Sequence, residues 1–71
     1  MFTQETIDKL EGIKFVELYN KVITSSVIPY HEVCMSAIYF LWGYNEVEAR
    51  KCLYKLIQDN ISEENINEFI G

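Results

Sequence analysis

The run from Val33 to Tyr44, VCMSAIYFLWGY, contains no charged residue, and Ser36 is its only small polar one. A helix that is apolar on all sides is either buried on all sides or spans a membrane. Spanning requires about 20 apolar residues, and this run ends at Gly43 and Asn45. We therefore predict a buried central helix, at about residues 30–42, that is enclosed by the other helices.

Helical periodicity extends over the rest of the chain, and no segment alternates as a strand does. The predicted fold class is all-α: a small bundle of four or five short helices in a single domain, residues 1–71. Within it, residues 1–25 form an N-terminal helix or helix pair. A first helix over Phe2 to Glu11 has a suitable N-cap in Thr3. Gly12 then interrupts the apolar stripe, which favours a break or kink over one continuous helix.

The remaining boundaries follow from turn and cap residues. Pro29 places the start of the central helix between Val27 and His31, and Gly43 is suited to a left-handed C-terminal cap. Asn45, with Glu48 three residues later, predicts the N-terminus of the next helix. Ser62 is the predicted cap of the last helix. The apolar stripe expected on the helix after Asn45 is Ala49, Cys52, Leu53, Leu56 and Ile57, and the last helix should bury Ile66, Phe69 and Ile70.

Charge and hydrophobicity limit the partners. The net charge is −5, from eleven acidic and six basic residues, which disfavours direct binding of nucleic acid. The segment after Lys55 is acidic. We interpret it as a solvated acidic face, and the alternative is a surface that mimics a nucleic acid. With 49% hydrophobic residues, a chain this short has apolar surface to spare. We expect a protein partner, leave a homo-oligomer open, and expect no membrane association.

The N-terminal residues predict a location in the cell, and the amino-acid usage suggests a source. Met1 is followed directly by a polar helix start rather than by the apolar region of a secretory signal. The expected location is therefore cytoplasmic, or the host cytoplasm for a phage or viral protein. Frequent Lys, Ile, Asn and Tyr are typical of an AT-rich genome, such as that of a low-GC bacterium, a phage or a large DNA virus.

The chain lacks the residue sets that catalysis and cofactor binding require. It has one histidine, His31, and no glycine-rich phosphate loop, so we predict no catalytic, cofactor-binding or metal-binding residues and no enzymatic activity. Cys34 and Cys52 are expected to be buried, reduced thiols. A disulfide between them and a zinc site formed with His31 and a carboxylate are the alternatives.

Residues 31–71 resemble a UBA-type three-helix unit. The resemblance rests on Leu41-Trp42-Gly43-Tyr44, on Glu48-Ala49-Arg50-Lys51-Cys52-Leu53, and on a last apolar helix that ends in Phe69-Ile70. Ubiquitin-associated domains and the similar C-terminal domain of the Holliday-junction protein RuvA share such a Gly-Phe or Gly-Tyr loop. In UBA domains this loop and the last helix bind the partner. The resemblance therefore implies a partner-binding patch of Trp42, Gly43, Tyr44, Phe69 and Ile70.

These observations predict a non-enzymatic function. Six aromatic residues crowd the central helix, and Trp and Tyr are typical anchors of protein interfaces; we expect Trp42 and Tyr44 to form one. The first hypothesis is a small acidic helical module that binds and regulates another protein. The alternative is a phage or viral inhibitor that blocks a nucleic-acid-binding enzyme by acidic mimicry. A helix-turn-helix is disfavoured because Leu41 occupies the position where its turn glycine would be expected.

Overall fold

The computed structural model describes all 71 residues and confirms an all-α bundle. It contains five helices, α1 (Gln4–Glu11), α2 (Phe15–Thr24), α3 (Glu32–Trp42), α4 (Glu46–Asn60) and α5 (Ile66–Ile70), and no strand. Buried side chains from all five helices form one apolar cluster.

The N-terminal residues form a helix pair. The predicted break is confirmed, because α1 ends at Glu11 and α2 begins at Phe15. The predicted cap is also confirmed: Thr3 Oγ1 accepts a hydrogen bond from the Thr6 amide at 3.3 Å. Leu10 at the end of α1 and Leu18 on α2 are both fully buried, so the break lets two short helices direct separate apolar stripes into one core.

The helix at the centre of the bundle is α4. Asn45 caps it as predicted, and its side chain accepts from the Glu48 amide at 3.2 Å. Both α2 and α3 pack against α4, and side chains of α1 line a depression along it. The buried face of α4 comprises Ala49, Leu53, Tyr54 and Ile57.

The prediction that α3 is enclosed is wrong. Met35 and Ile38 are its only buried residues, whereas Val33 and Phe40 are 70% and 68% exposed. α2 and α4 contact α3 from one side, and α1 and α5 pack against each other elsewhere. The helix that was predicted to be buried therefore presents a row of apolar side chains to solvent.

Cys34 and Cys52 are exposed free thiols, which corrects the prediction that both are buried. Cys34 lies on the part of α3 that no helix covers. On α4 the buried face includes Tyr54 and leaves Cys52 exposed. Tyr54 and Ile7 of α1 line one depression on that side of α4.

The turn between α3 and α4 differs from its prediction. Gly43 has a φ of −64° and a right-handed helical conformation, not a left-handed one. Its amide donates to the Phe40 carbonyl at 3.2 Å, and the amides of Tyr44 and Asn45 both donate to the Leu41 carbonyl, at 2.9 and 2.8 Å. The last turn of α3 thus tightens, and the chain reaches α4 without a positive φ.

The N-terminal ends of α3 and α5 also differ from their predictions. α3 begins at Glu32, with His31 at the N-cap and no side-chain bond to it. α5 begins at Ile66, so Ser62 is not its cap. Instead the Ser62 carbonyl accepts from the Asn65 amide at 3.0 Å, and Ser62 Oγ accepts from Asn65 Nδ2 at 3.0 Å. Ser62 stabilises a separate turn that precedes α5.

The two ends of the chain are held together by polar contacts. Glu63 Oε1 accepts from Thr6 Oγ1 at 2.7 Å and from Thr3 Oγ1 at 2.8 Å. Lys9 Nζ donates to Asn67 Oδ1 at 3.2 Å. α5 thereby lies against α1 and not against α3.

None of the five helices is long and apolar enough to cross a membrane.

Candidate protein-binding face on α3

The two sides of α3 have different environments. At about 100° per residue, Met35, Ile38 and Trp42 lie on the side that meets the core. Val33, Ala37 and Phe40 lie on the opposite side, and all three are exposed. Apart from Ser36, this exposed side is apolar along the whole helix, an arrangement that a surface helix of a monomeric protein normally avoids.

Tyr44 continues this exposed side beyond the end of α3. It is 77% exposed, and its ring lies 5.1 Å from that of Phe40 at an interplanar angle of 50°. We call the exposed residues Val33, Ala37, Phe40 and Tyr44 the α3 face. No charged residue occurs between Glu32 and Glu46, so the α3 face contains no charged side chain in a chain of net charge −5.

Aromatic packing on the inner side of α3 fixes the orientation of the helix. The Trp42 ring stacks on Phe15 of α2, with 5.0 Å between centroids and 10° between planes. Tyr19 contacts Tyr39 edge to face at 5.1 Å. The Tyr19 hydroxyl donates to the Met35 carbonyl at 3.3 Å, and burial, with Tyr39 nearby, raises the pKa of Tyr19. These contacts hold the α3 face outward.

Trp42 is half-buried and is fixed by polar contacts as well as by stacking. Its Nε1 donates to Glu46 Oε1 at 3.2 Å. Arg50 Nε donates to Glu46 Oε2 at 3.2 Å, and Arg50 also donates to the Tyr54 hydroxyl at 3.3 Å. The hydrogen bonds from Trp42 and Arg50 lower the pKa of Glu46. The ion pair between Glu46 and Arg50 helps to hold the indole in place.

The five residues of the UBA-type patch fall into two groups. Trp42, Gly43 and Tyr44 lie at the turn that leads into the N-terminus of α4. Phe69 lines a depression with Ile61 and Val27, beyond the C-terminus of α4. An α-helix of 15 residues is about 20 Å long. Phe69 therefore lies far from the turn, while Ile70 beside it is half-buried against the core.

The residues that could bind a metal ion or act in catalysis do not cluster in the fold. No group of three or more His, Cys, Asp or Glu side chains is placed to hold a metal ion. His31 is exposed at the N-cap of α3. Among the acids of the C-terminal segment, Glu63 is engaged with Thr3 and Thr6, whose hydrogen bonds lower the pKa of Glu63.

The sequence analysis did not propose Val33, Ala37 and Phe40 for the candidate site. It assigned them to the interior because Ser36 is the only polar residue on the outer side of α3. The available signal was the size of the chain, since four short helices cannot enclose a fifth on every side.

No protein-family model matches this chain, and neither the curated proteins nor the solved structures contain a match to it.

Proposed function

We propose that this chain is a non-enzymatic protein–protein interaction module that binds and regulates another protein, and that the α3 face is its binding surface. The observation that carries the proposal is the exposure of a continuous uncharged apolar helix face, with Phe40 at 68% and Tyr44 at 77% exposed. Apolar patches of this kind mark interaction sites in soluble proteins.

The composition of the α3 face is that of an interface centre. Such centres are depleted in charge and enriched in aromatic residues, and a few buried aromatic anchors supply most of the binding energy. Phe40 and Tyr44 are suitable anchors because their rings pack against each other on a rigid helix end. Val33 and Ala37 extend the apolar strip by a further turn or two of α3. A partner with an apolar groove or an apolar helix of its own would fit this surface.

We further propose that the module regulates its partner by occupying a site on it. Of the patch that the UBA-type resemblance implies, Tyr44 belongs to the α3 face and Trp42 supports it from beneath. Phe69 and Ile70 are not part of this proposal. Acidic mimicry is the competing mechanism, and it would use carboxylates elsewhere on the surface.

Two valines provide a matched test. Val33 and Val47 are each the second residue of their helix, α3 and α4, and are 70% and 63% exposed. Asp in the first turn of a helix is favourable in both places. Val33→Asp puts a charge on the α3 face, whereas Val47→Asp puts the same charge elsewhere. The two variants should be equally stable, which thermal unfolding would check.

The experiment is affinity capture from the source cells with the wild-type chain and both variants, followed by mass spectrometry. We expect a stoichiometric partner that Val47→Asp retains and Val33→Asp loses, and that withstands about 0.5 M salt because the contact is apolar. Retention of every partner by Val33→Asp would contradict the proposal. A partner that both variants keep but that salt removes would favour acidic mimicry instead.

A further inference from the structure

We infer that in the free protein the α3 face is covered by the α3 face of a second copy of this chain, in a weak antiparallel dimer. This inference rests on the proposed function, because it takes the α3 face to be a protein-binding surface and names one occupant for it. The argument uses the charge, the shape and the area of that surface.

Two copies can meet through the α3 face without placing like charges against each other, because it lies in the longest uncharged segment of the chain. Each chain carries a net charge of −5, so contact between most other surfaces would bring carboxylates together. From Val33 to Asn45 there is no charged residue. An apolar contact between these segments brings no like charges into the interface, and the acids remain at its rim, exposed to solvent.

The order of side-chain sizes along the helix suits a two-fold axis. An isologous interface must be self-complementary. If the axis passes between Ser36 and Ala37, an antiparallel pairing puts Phe40 of one copy against Val33 of the other, twice. Ser36 faces Ala37 of the second copy at the centre, where small side chains allow the two helices to approach to about 8 Å. Tyr44 of each copy then reaches the segment before α3 in the other.

The area of the α3 face predicts that the dimer is weak. Phe40 and Tyr44 are about two-thirds to three-quarters exposed, and together they present roughly 300 Å² of ring surface. A standard interface buries about 800 Å² on each partner. The rings thus provide only the centre of an interface smaller than the standard size, so the dimer should be weak and should form only at high protein concentration. A dimer of this strength would exchange readily with another protein partner.

Sedimentation of the purified chain tests the association. We expect the wild-type chain and Val47→Asp to form dimers as the concentration rises toward millimolar. Val33→Asp should raise the dissociation constant by about tenfold or more, because it would bury a charge against an apolar surface. A wild-type chain that stays monomeric at millimolar concentration would overturn the dimer, and so would equal weakening by Val47→Asp.

Engineered thiols test the antiparallel register in a background without the native ones, Cys34→Ser with Cys52→Ser. Two copies of position 37 lie almost opposite each other in the proposed pairing. Two copies of position 33 are displaced by about 10 Å along the helix axes, which exceeds the Cα separation that a disulfide allows. Ala37→Cys should therefore form a covalent dimer on oxidation, and Val33→Cys should not.

Equal cross-linking of Ala37→Cys and Val33→Cys would contradict the antiparallel register, since a parallel pair would join both positions. The outcomes also separate this inference from the proposed function. A monomeric chain that still loses a captured partner upon Val33→Asp would overturn the dimer alone. A dimer that forms through the α3 face while no captured partner depends on Val33 would overturn the regulatory module and leave self-association.

Discussion

Phe40→Ala should cost very little stability, although Phe40 lies in the most apolar segment of the chain. Phe40 is 68% exposed, so about a third of its surface is removed from water. Full burial of a Phe side chain is worth about 1.5–3 kcal/mol, which leaves roughly 0.5–1 kcal/mol for Phe40 to lose. The higher helix propensity of Ala returns roughly 0.5 kcal/mol. We expect the free energy of unfolding to fall by about 0.5 kcal/mol or less.

Phe15 is the matched comparison, because it is the same residue type in the same aromatic cluster. It is 2% exposed and stacks on Trp42, so Phe15→Ala should cost about 3–5 kcal/mol. That is comparable to the whole stability expected of a domain this small, roughly 3–5 kcal/mol, and the variant should have lost most of its cooperative unfolding transition.

Urea unfolding followed by circular dichroism would measure both variants, at a concentration where the wild-type chain sediments as a monomer. An enclosed α3 would make the two substitutions equally costly. A loss of about 3 kcal/mol or more for Phe40→Ala would therefore refute the exposed position of the α3 face and restore the prediction of a buried central helix.

Three further predictions concern the local contacts. Hydrogen bonds from Thr6 and Thr3 hold the pKa of Glu63 below its ordinary value, so the ionised carboxylate stabilises the fold fully above the unfolded-state pKa and loses this effect as the pH falls through the lower, folded-state pKa. The urea midpoints of the wild type and of Glu63→Gln should therefore converge on acidification, and a difference that stays constant with pH would contradict this. Asn45→Ala removes the cap of α4 and should cost about 1 kcal/mol in the same assay, and no change would show that the cap is dispensable. Gly43→Ala should be neutral or stabilise by about 0.4–1 kcal/mol, because Gly43 has a negative φ and an added Cβ would meet only the Phe40 carbonyl at 3.4 Å; a loss of more than 1 kcal/mol would instead indicate the left-handed cap.

Local signals in the sequence predicted the local structure well. Thr3 and Asn45 each place an oxygen where a free helix amide needs an acceptor, and both caps are present. The change in direction of the apolar stripe at Gly12 predicted the break between α1 and α2. These features depend on residues a few positions apart, which a sequence displays directly. Ser62 shows the limit of such reasoning, because the same residue type also stabilises the turn before α5.

The orientation of α3 could not be predicted from its own sequence. A helix with several polar residues on one side indicates which side faces the solvent, but after Glu32 the only small polar residue of α3 is Ser36. The choice is made by its neighbours, since Trp42 stacks on Phe15 and Tyr19 bonds to the Met35 carbonyl. On α4 the predicted stripe differs in the same way, since Tyr54 is buried and Cys52 is exposed.

The candidate site was predicted in part. Tyr44 was expected to lie at an interface edge, and it is the most exposed aromatic residue in the chain. Trp42 is half-buried, because its ring stacks on Phe15 and contacts Tyr39 while its Nε1 donates to Glu46. Phe40 could be recognised as a site residue only after the neighbours of α3 were known. Its role in binding stays a prediction.

Photo-crosslinking at position 40 tests the α3 face as a protein-binding surface most directly. Phe40 would be replaced by benzoylphenylalanine, which retains the aromatic ring, and the same group at Val47 would serve as the control on another exposed surface. After irradiation in the source cells, we predict a covalent adduct with a protein, either a distinct partner or a second copy, at position 40 and none at position 47. Adducts at position 47 but not at position 40 would contradict the assignment of the binding surface to α3.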